Sequence, residues 1–208
     1  MLKFEILSTI KEEKIVAVIR GNNSDEATSI SLAAIEGGIR IIELTYTTPF
    51  VEKVFKDLEN EDVLIGAGSV LDTETARHAL LNGAKFIVSP FFNKDVATLC
   101  NRYGIPYLPG CMTVKEMAEA LEAGCDILKL FPASDFEPSI IRSIRGPIPN
   151  VNIMPTGGVN LSNMSGWLSA GAIAVGIGSD LNKAYSSGSH ELVVEVTKKY
   201  VEILKENT

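Results

Sequence analysis

Positive charge is scarce in this chain. Nineteen lysines and arginines face 26 aspartates and glutamates, for a net charge of −7. That balance excludes a basic platform for neutralising nucleic-acid phosphates in bulk. It leaves room for an anion held locally by backbone amides and a few cations. His78 and His190 stand alone in helical patterns and read as solvated surface residues, while Cys100, Cys111 and Cys125 show no CxxC spacing. No zinc constellation assembles from them, and neither a metal nor a cofactor is expected. Three unpaired thiols fit a reducing cytoplasm. No apolar run approaches the roughly 20 residues needed to span a bilayer. The start, Met1-Leu2-Lys3-Phe4-Glu5, turns acidic too early for a signal peptide. Pro/Gly/Ser-rich linkers and charge blocks are absent as well, so residues 1–208 read as one domain. The expectation is a soluble cytoplasmic protein without nucleic-acid or membrane partners.

What remains is a regular alternation. Eight short apolar runs, at 15–20, 39–45, 63–70, 86–90, 106–110, 127–132, 152–158 and 174–181, are rich in Ile and Val and nearly continuous. Runs of that kind suit parallel strands covered on both faces. Between them lie helical patterns with start and stop signals. Ser24-Asp25-Glu26 opens one that Gly37-Gly38 stops, and Thr73-Glu74-Thr75 opens another closed by Asn82-Gly83. Thr113 with Glu116 forms a capping box, and Asn160 opens a helix closed by Gly171. From Ser189 onward, Val193, Val196, Tyr200 and Leu204 share a face. Alternating β and α units imply right-handed crossovers. Eight units in about 200 residues predict an α/β fold, a compact single-domain (β/α)8 TIM barrel. An open doubly wound sheet needs a glycine fingerprint after the first strand, and Ile19-Arg20-Gly21-Asn22-Asn23 does not supply it.

Chemistry in such a barrel gathers where strands end. In Ile127-Leu128-Lys129-Leu130-Phe131, alternation sends Ile127, Lys129 and Phe131 to one side. If the leucines face helices, Lys129 projects into an apolar interior that favours the neutral, nucleophilic amine. The competing reading is a lysine snorkelling to solvent. Glu43 shares a face with Ile41 and Thr45 near its own strand's end. An inward carboxylate calls for a partner such as Lys129, and the two together read as a nucleophile with a proton shuttle or as a structural ion pair. Pro155-Thr156-Gly157-Gly158 and Gly176-Ile177-Gly178-Ser179 close the seventh and eighth runs, where these barrels commonly bind phosphate. A lone glycine pair more often only relieves a tight turn; two consecutive glycine-rich ends favour an anion site. Ser69 places a hydroxyl where a carboxylate can be held, and Arg20 is either a substrate cation or half of a salt bridge.

Taken in order and at their spacing, several segments resemble the 2-keto-3-deoxy-6-phosphogluconate (KDPG)/4-hydroxy-2-oxoglutarate aldolase family, a class I group. They are Val16-Ala17-Val18-Ile19-Arg20, Glu36-Gly37-Gly38-Ile39, Ile65-Gly66-Ala67-Gly68-Ser69-Val70, Phe86-Ile87-Val88-Ser89-Pro90, Pro109-Gly110, Lys129-Leu130-Phe131-Pro132-Ala133 and Pro155-Thr156-Gly157-Gly158-Val159. The resemblance implies that Lys129 forms a Schiff base and Glu43 is the general acid/base. It implies that Ser69, threonine in many relatives, helps hold the pyruvate carboxylate with the Pro90 and Phe131 neighbourhood. Gly157, Gly158 and Ser179 would bind phosphate, and the protein would be a homotrimer acting on a small phosphorylated keto acid. Thr47 stands where some relatives place a carboxylate-binding arginine, which leaves that task to Arg20 or backbone amides. Two rival functions remain on the same scaffold. One is a phosphosugar isomerase or epimerase using Glu43 for proton transfer; the other is a non-catalytic sugar-phosphate binder.

Overall fold

The computed structural model describes residues 2–206. Met1, Asn207 and Thr208, which the one-domain reading also includes, lie outside the described residues. The chain opens with a helix that periodicity did not reveal, α1 (Leu2–Glu13). Strands and helices then alternate: β1 (Ile15–Ile19), α2 (Ser24–Glu36), β2 (Ile41–Thr45), α3 (Val51–Asp57), β3 (Leu64–Gly68), α4 (Thr73–Leu81), β4 (Ile87–Val88) and α5 (Lys94–Tyr103). The second half continues with β5 (Tyr107–Leu108), β6 (Gly110–Cys111), α6 (Val114–Glu122), β7 (Leu128–Leu130), α7 (Ile140–Arg145), β8 (Ile153–Pro155), α8 (Met164–Ser169), β9 (Val175–Ile177), α9 (Ser179–Ser187) and α10 (His190–Glu206).

All the strand pairs are parallel. The expected single ladder of eight strands is divided. Six strands form one curled sheet in the order β5-β4-β3-β2-β1-β9, and β6-β7-β8 form a second. Pro109, which has no N–H to give a ladder, falls between β5 and β6 and splits the fifth apolar run. At that seam the Gly110 amide donates to the Ser89 carbonyl at 2.9 Å. At the other seam Ile173 donates to Ile153 at 3.0 Å, and Thr156 bridges Gly176. The eighth run is mostly not strand, because β9 stops at Ile177 and residues 179–181 already belong to α9.

Alternation sorts the side chains into two apolar layers. Leu128, Leu130, Ile42 and Leu44 join the helix-facing layer. Val16, Ile41, Phe86, Val88, Leu108, Ile127, Met154 and Ala174 fill the inside of the curl, where Ile6 and Ile10 of α1 join them. Gly66 makes room for this inner layer, since a Cβ there would lie 2.4 Å from the Phe86 ring. Lys3 of α1 pairs with Asp126 just before β7, which places the helix at the N-terminal end of the strands. Polar atoms are thereby left only the opposite end.

The second and fourth helices start at Ser24 and Thr73, as the sequence suggested. The caps are Asn23 and Asp72, whose side chains accept from Glu26 and Thr75, because each can reach the orphan amides of the first turn. The Thr113–Glu116 capping box is present. The helix expected from Asn160 begins at Met164 with Asn163 as its cap, and Asn160 instead caps the Ser162 amide in the preceding turn. On α10 Val193 and Tyr200 of the expected face are buried and Val196 and Leu204 pack partly buried against the same core, while Val194 and Thr197 widen the inward stripe. His78 is exposed beside the Tyr46 hydroxyl, whereas His190 is half-buried and pairs with Glu36 at 3.0 Å rather than being solvated freely.

Ile10→Ala is expected to lower stability by about 2–5 kcal/mol, as cavity-forming core truncations do. Phe4→Ala, on the exposed side of the same helix, should stay within about 0.5 kcal/mol. Paired urea unfolding curves measure both. Equal small effects would mean that α1 does not seal the inner layer.

Candidate active site

Above the apolar plug the inner face turns polar. On β2, Ile41 belongs to the plug and Glu43, two residues on, points the same way. On the second sheet, Ile127 belongs to the plug and Lys129 follows it. The two side chains meet across the interior, with Lys129 Nζ 3.8 Å from Glu43 Oε1. Both residues are buried, at 5% and 1% exposure. Glycine makes this crossing possible. A Cβ on Gly68 would lie 2.1 Å from Glu43 Oε1, so β3 must end in a residue without a side chain.

The electrostatics are unusual for a structural ion pair. At 3.8 Å the two groups attract without sharing a hydrogen bond, and neither Glu43 oxygen has a hydrogen-bond partner among the described residues. Burial pushes the Glu43 carboxyl above its ordinary value, and the charges of Lys129 and then Arg20 pull it partly back. A carboxyl raised in this way holds a proton more readily than an exposed one, which suits a group that must both take and give protons. Lys129 Nζ also lies 4.8 Å from the centre of the Phe131 ring, within range of a cation–π contact. The structure thus resolves the two sequence readings of Lys129 in favour of an inward amine.

Phe131 connects this pair to a cavity of about 480 Å³ at the C-terminal ends of β1, β7, β8 and β9. Its wall includes Val18, Arg20, Phe131, Thr156, Gly157, Gly158, Gly176, Gly178, Ser179 and Asn182. Gly157 and Gly158 sit at φ +83° and +89°, a backbone region open chiefly to glycine. The glycine-rich ends of β8 and β9 and the first turn of α9 therefore face one space, with the exposed Arg20 as its cation. Of the candidates from the sequence, Arg20, Phe131, Gly157, Gly158 and Ser179 line this cavity, and Lys129 and Glu43 adjoin it through Phe131.

Thr47, Ser69 and Pro90 lie outside that wall. Thr47 is exposed, and its hydroxyl donates to Thr45 Oγ1 at 3.2 Å, which in turn donates to the Ile19 carbonyl at 2.9 Å. Ser69 is half-buried just past β3 in a left-handed conformation, φ +57°. The Pro90 carbonyl packs over Gly110, where a Cβ would come within 2.1 Å of it. Cys111 and the other two cysteines are buried and unpaired, and burial pushes each thiol up to about 12. Among the described residues, no three His, Cys, Asp or Glu side chains gather as a metal site.

Asn182 is a polar residue of the wall that the sequence reading did not touch, and Thr156 and Gly176 stood inside the two glycine-rich segments without a role of their own. Thr156 carries a buried hydroxyl without a partner among the described residues, and its position inside the Thr-Gly-Gly segment was the available signal. Gly176 leaves space for that hydroxyl, since a Cβ there would lie 2.4 Å from it. Asn182 had no local signal; it reaches the wall because its amide donates to the Arg20 carbonyl from α9.

Comparison with known proteins bears on this geometry. A model of aldolases described as KDPG and KHG aldolase matches residues 6–196. The chain is 34% identical over 177 residues to 2-dehydro-3-deoxy-6-phosphogalactonate aldolase of Escherichia coli K12, covering 83% of this chain and 86% of that protein. It is 34% identical over 166 residues to 2-dehydro-3-deoxy-phosphogluconate aldolase of Treponema pallidum, covering 78% and 79%. The solved KDPG aldolase of Legionella pneumophila, in which pyruvate was captured as a covalent carbinolamine, superposes with a TM-score of 0.80 at 28% identity, over 93% of this chain and 96% of that one. With a family match across most of its length and relatives above the threshold of chance, the chain belongs to the KDPG and KHG aldolase family.

Proposed function

We propose that this lyase is a class I aldolase that cleaves a phosphorylated 2-keto-3-deoxy sugar acid, KDPG, to pyruvate and glyceraldehyde 3-phosphate. In the same reading it cleaves 4-hydroxy-2-oxoglutarate to pyruvate and glyoxylate. The observation that carries the proposal is the buried amine of Lys129 held 3.8 Å from a carboxyl that burial has made a ready proton carrier. The names of the relatives and the carbinolamine trapped in the Legionella enzyme support it.

The Lys129 amine attacks the C2 ketone. Protons pass through Glu43 as the carbinolamine forms and loses water, leaving a protonated imine. Glu43 then takes the C4 hydroxyl proton as the C3–C4 bond breaks. The bonding pair flows into the imine to give an enamine, and C4 departs as the aldehyde. Protonation at C3 and addition of water release pyruvate and restore the amine. The imine is the electron sink, so the reaction as written uses no metal. Gly157, Gly158 and Ser179 hold the phosphate through amides and a hydroxyl at the glycine-rich ends of β8 and β9, and Arg20 balances its charge. Ser69, Pro90 and Phe131 flank the pyruvate carboxylate. Thr47 turns toward that end of the substrate only if its hydroxyl leaves Thr45.

The same reading extends to the whole molecule. Hydrogen bonds at both seams favour one closed (β/α)8 barrel over the described residues, with the chain 1–208 read as a single domain. Exposed Leu71, Phe91 and Met112, on loops that follow β3, β4 and β6, and Val114 at the start of α6, offer apolar surface for a homotrimer. Three buried free thiols favour a cytoplasmic location, and no described helix is long and apolar enough to cross a membrane.

Borohydride added with pyruvate should leave a reduced pyruvyl adduct on the wild-type protein and none on Lys129→Ala, read by intact mass and peptide mapping. A folded wild type without an adduct would favour the isomerase chemistry, which needs no imine. Glu43→Gln should lower kcat by about 10²- to 10⁴-fold, the usual worth of a positioned acid/base. Because Glu43 is held above its ordinary 4.5, the acidic limb of the wild-type kcat profile should lie above that value and vanish in Glu43→Gln. An unchanged limb in the variant would assign it to another group.

A further inference from the structure

The two glycine-rich loops come from different βα units, bridged at their bases by Thr156 and Gly176. One buried side chain anchors the second loop from outside the cavity. Tyr200, in the middle of α10, is fully buried, and its hydroxyl donates to Asp180 Oδ2 at 2.6 Å. Asp180 immediately follows Ser179 in the first turn of α9. Leu161, in the segment that continues from Gly157-Gly158, packs against the core cluster to which Tyr200 belongs. Asp180 and Leu161 also share the wall of a smaller cavity of about 230 Å³ behind the site.

The arrangement has an electrostatic side. A carboxylate in the first turn of α9 stands next to the proposed anion site, where its charge opposes phosphate. Its bond to Tyr200 turns it toward α10, away from the cavity, and Asp180 is not among the residues of the cavity wall. Burial pushes the Tyr200 phenol well above its ordinary range, so it remains a donor throughout the working pH range. The other side of α9 is held to β1, because Asn182 donates to the Arg20 carbonyl and Gly178 packs so tightly on Val18 that a Cβ would come 2.7 Å from its carbonyl.

We propose that Tyr200 is a positioning residue for phosphate recognition, its hydroxyl holding Asp180 so that Ser179 keeps its place opposite Gly157-Gly158 for one phosphate group. The inference rests on the reading of those loops as the phosphate site. It makes the C-terminal helix part of substrate selection, for the phosphorylated substrate and not for its unphosphorylated counterpart.

The test compares KM and kcat for KDPG and for 4-hydroxy-2-oxoglutarate in the full-length protein. Tyr200→Phe keeps the ring and removes the hydroxyl. It is expected to raise KM for KDPG by about three- to tenfold, part of the worth of one hydrogen bond to a charged group, and to leave both constants for 4-hydroxy-2-oxoglutarate unchanged. Equal losses on both substrates, or no change on KDPG, would overturn the inference. Asp180→Ala approaches the same bond from the half-exposed side should Tyr200→Phe fold poorly. Electrostatics alone would make that variant bind KDPG more tightly, so a raised KM supports positioning and a lowered or unchanged one refutes it. Ser179→Ala separates the two layers of the argument. If it leaves KM for KDPG unchanged, the phosphate site itself is misplaced; if it raises KM while Tyr200→Phe does not, only the positioning role fails.

Discussion

Two opposite charges buried 3.8 Å apart inside a curl of parallel strands impose conditions on everything around them. Taking either charge out of water costs several kcal/mol, and removing one partner strands the other. The pair therefore has to be met by space, dryness and an exit for substrate. Space comes from Gly68, where any side chain would collide with Glu43. Dryness comes from the inner plug of Phe86, Ile127, Met154 and their neighbours, sealed from below by Ile6 and Ile10. The exit is the cavity that Phe131 shares with the glycine-rich loops.

The same constraint explains why chemistry and binding divide along the strands. Apolar residues occupy the inner positions nearest the strands' starts, ionisable ones the next layer, and hydroxyls and amides the ends. Burial keeps the Glu43 carboxyl above its ordinary value, and a strand holds it more rigidly than a loop would. In the proposed reading the anion falls to backbone amides and loop residues, which suits an acidic protein whose positive charge must be local.

Much of this was legible in the sequence because it follows from local rules. Period-two alternation placed Lys129 and Glu43 on the inner faces, and their apolar neighbours Ile127 and Ile41 now lie in the plug. The capping box at Thr113 is a contact between residues three apart, and it is present. Other features depended on neighbours that sequence order does not reveal. The helix α1 carries only Ile6 and Ile10 fully inward, too sparse a stripe to stand out. Pro109 hid a break between two strands within one apolar run. Asn182 acquired its partner, the Arg20 carbonyl, from 162 residues away.

By itself the sequence determined the alternation of strand and helix, which inner positions are ionisable, and the family, because each is written in spacing of a few residues or in motifs. It also singled out Thr47, Ser69 and Pro90, yet the tertiary structure set these outside the cavity wall and brought Asn182 into it. Only the folded chain decided that Lys129 and Glu43, 86 positions apart, stand opposite one another, and that Tyr200 of the last helix reaches Asp180 beside Ser179. The physical reason is that facing direction is a local property of a strand, whereas distance across the curl depends on the packing of every residue between.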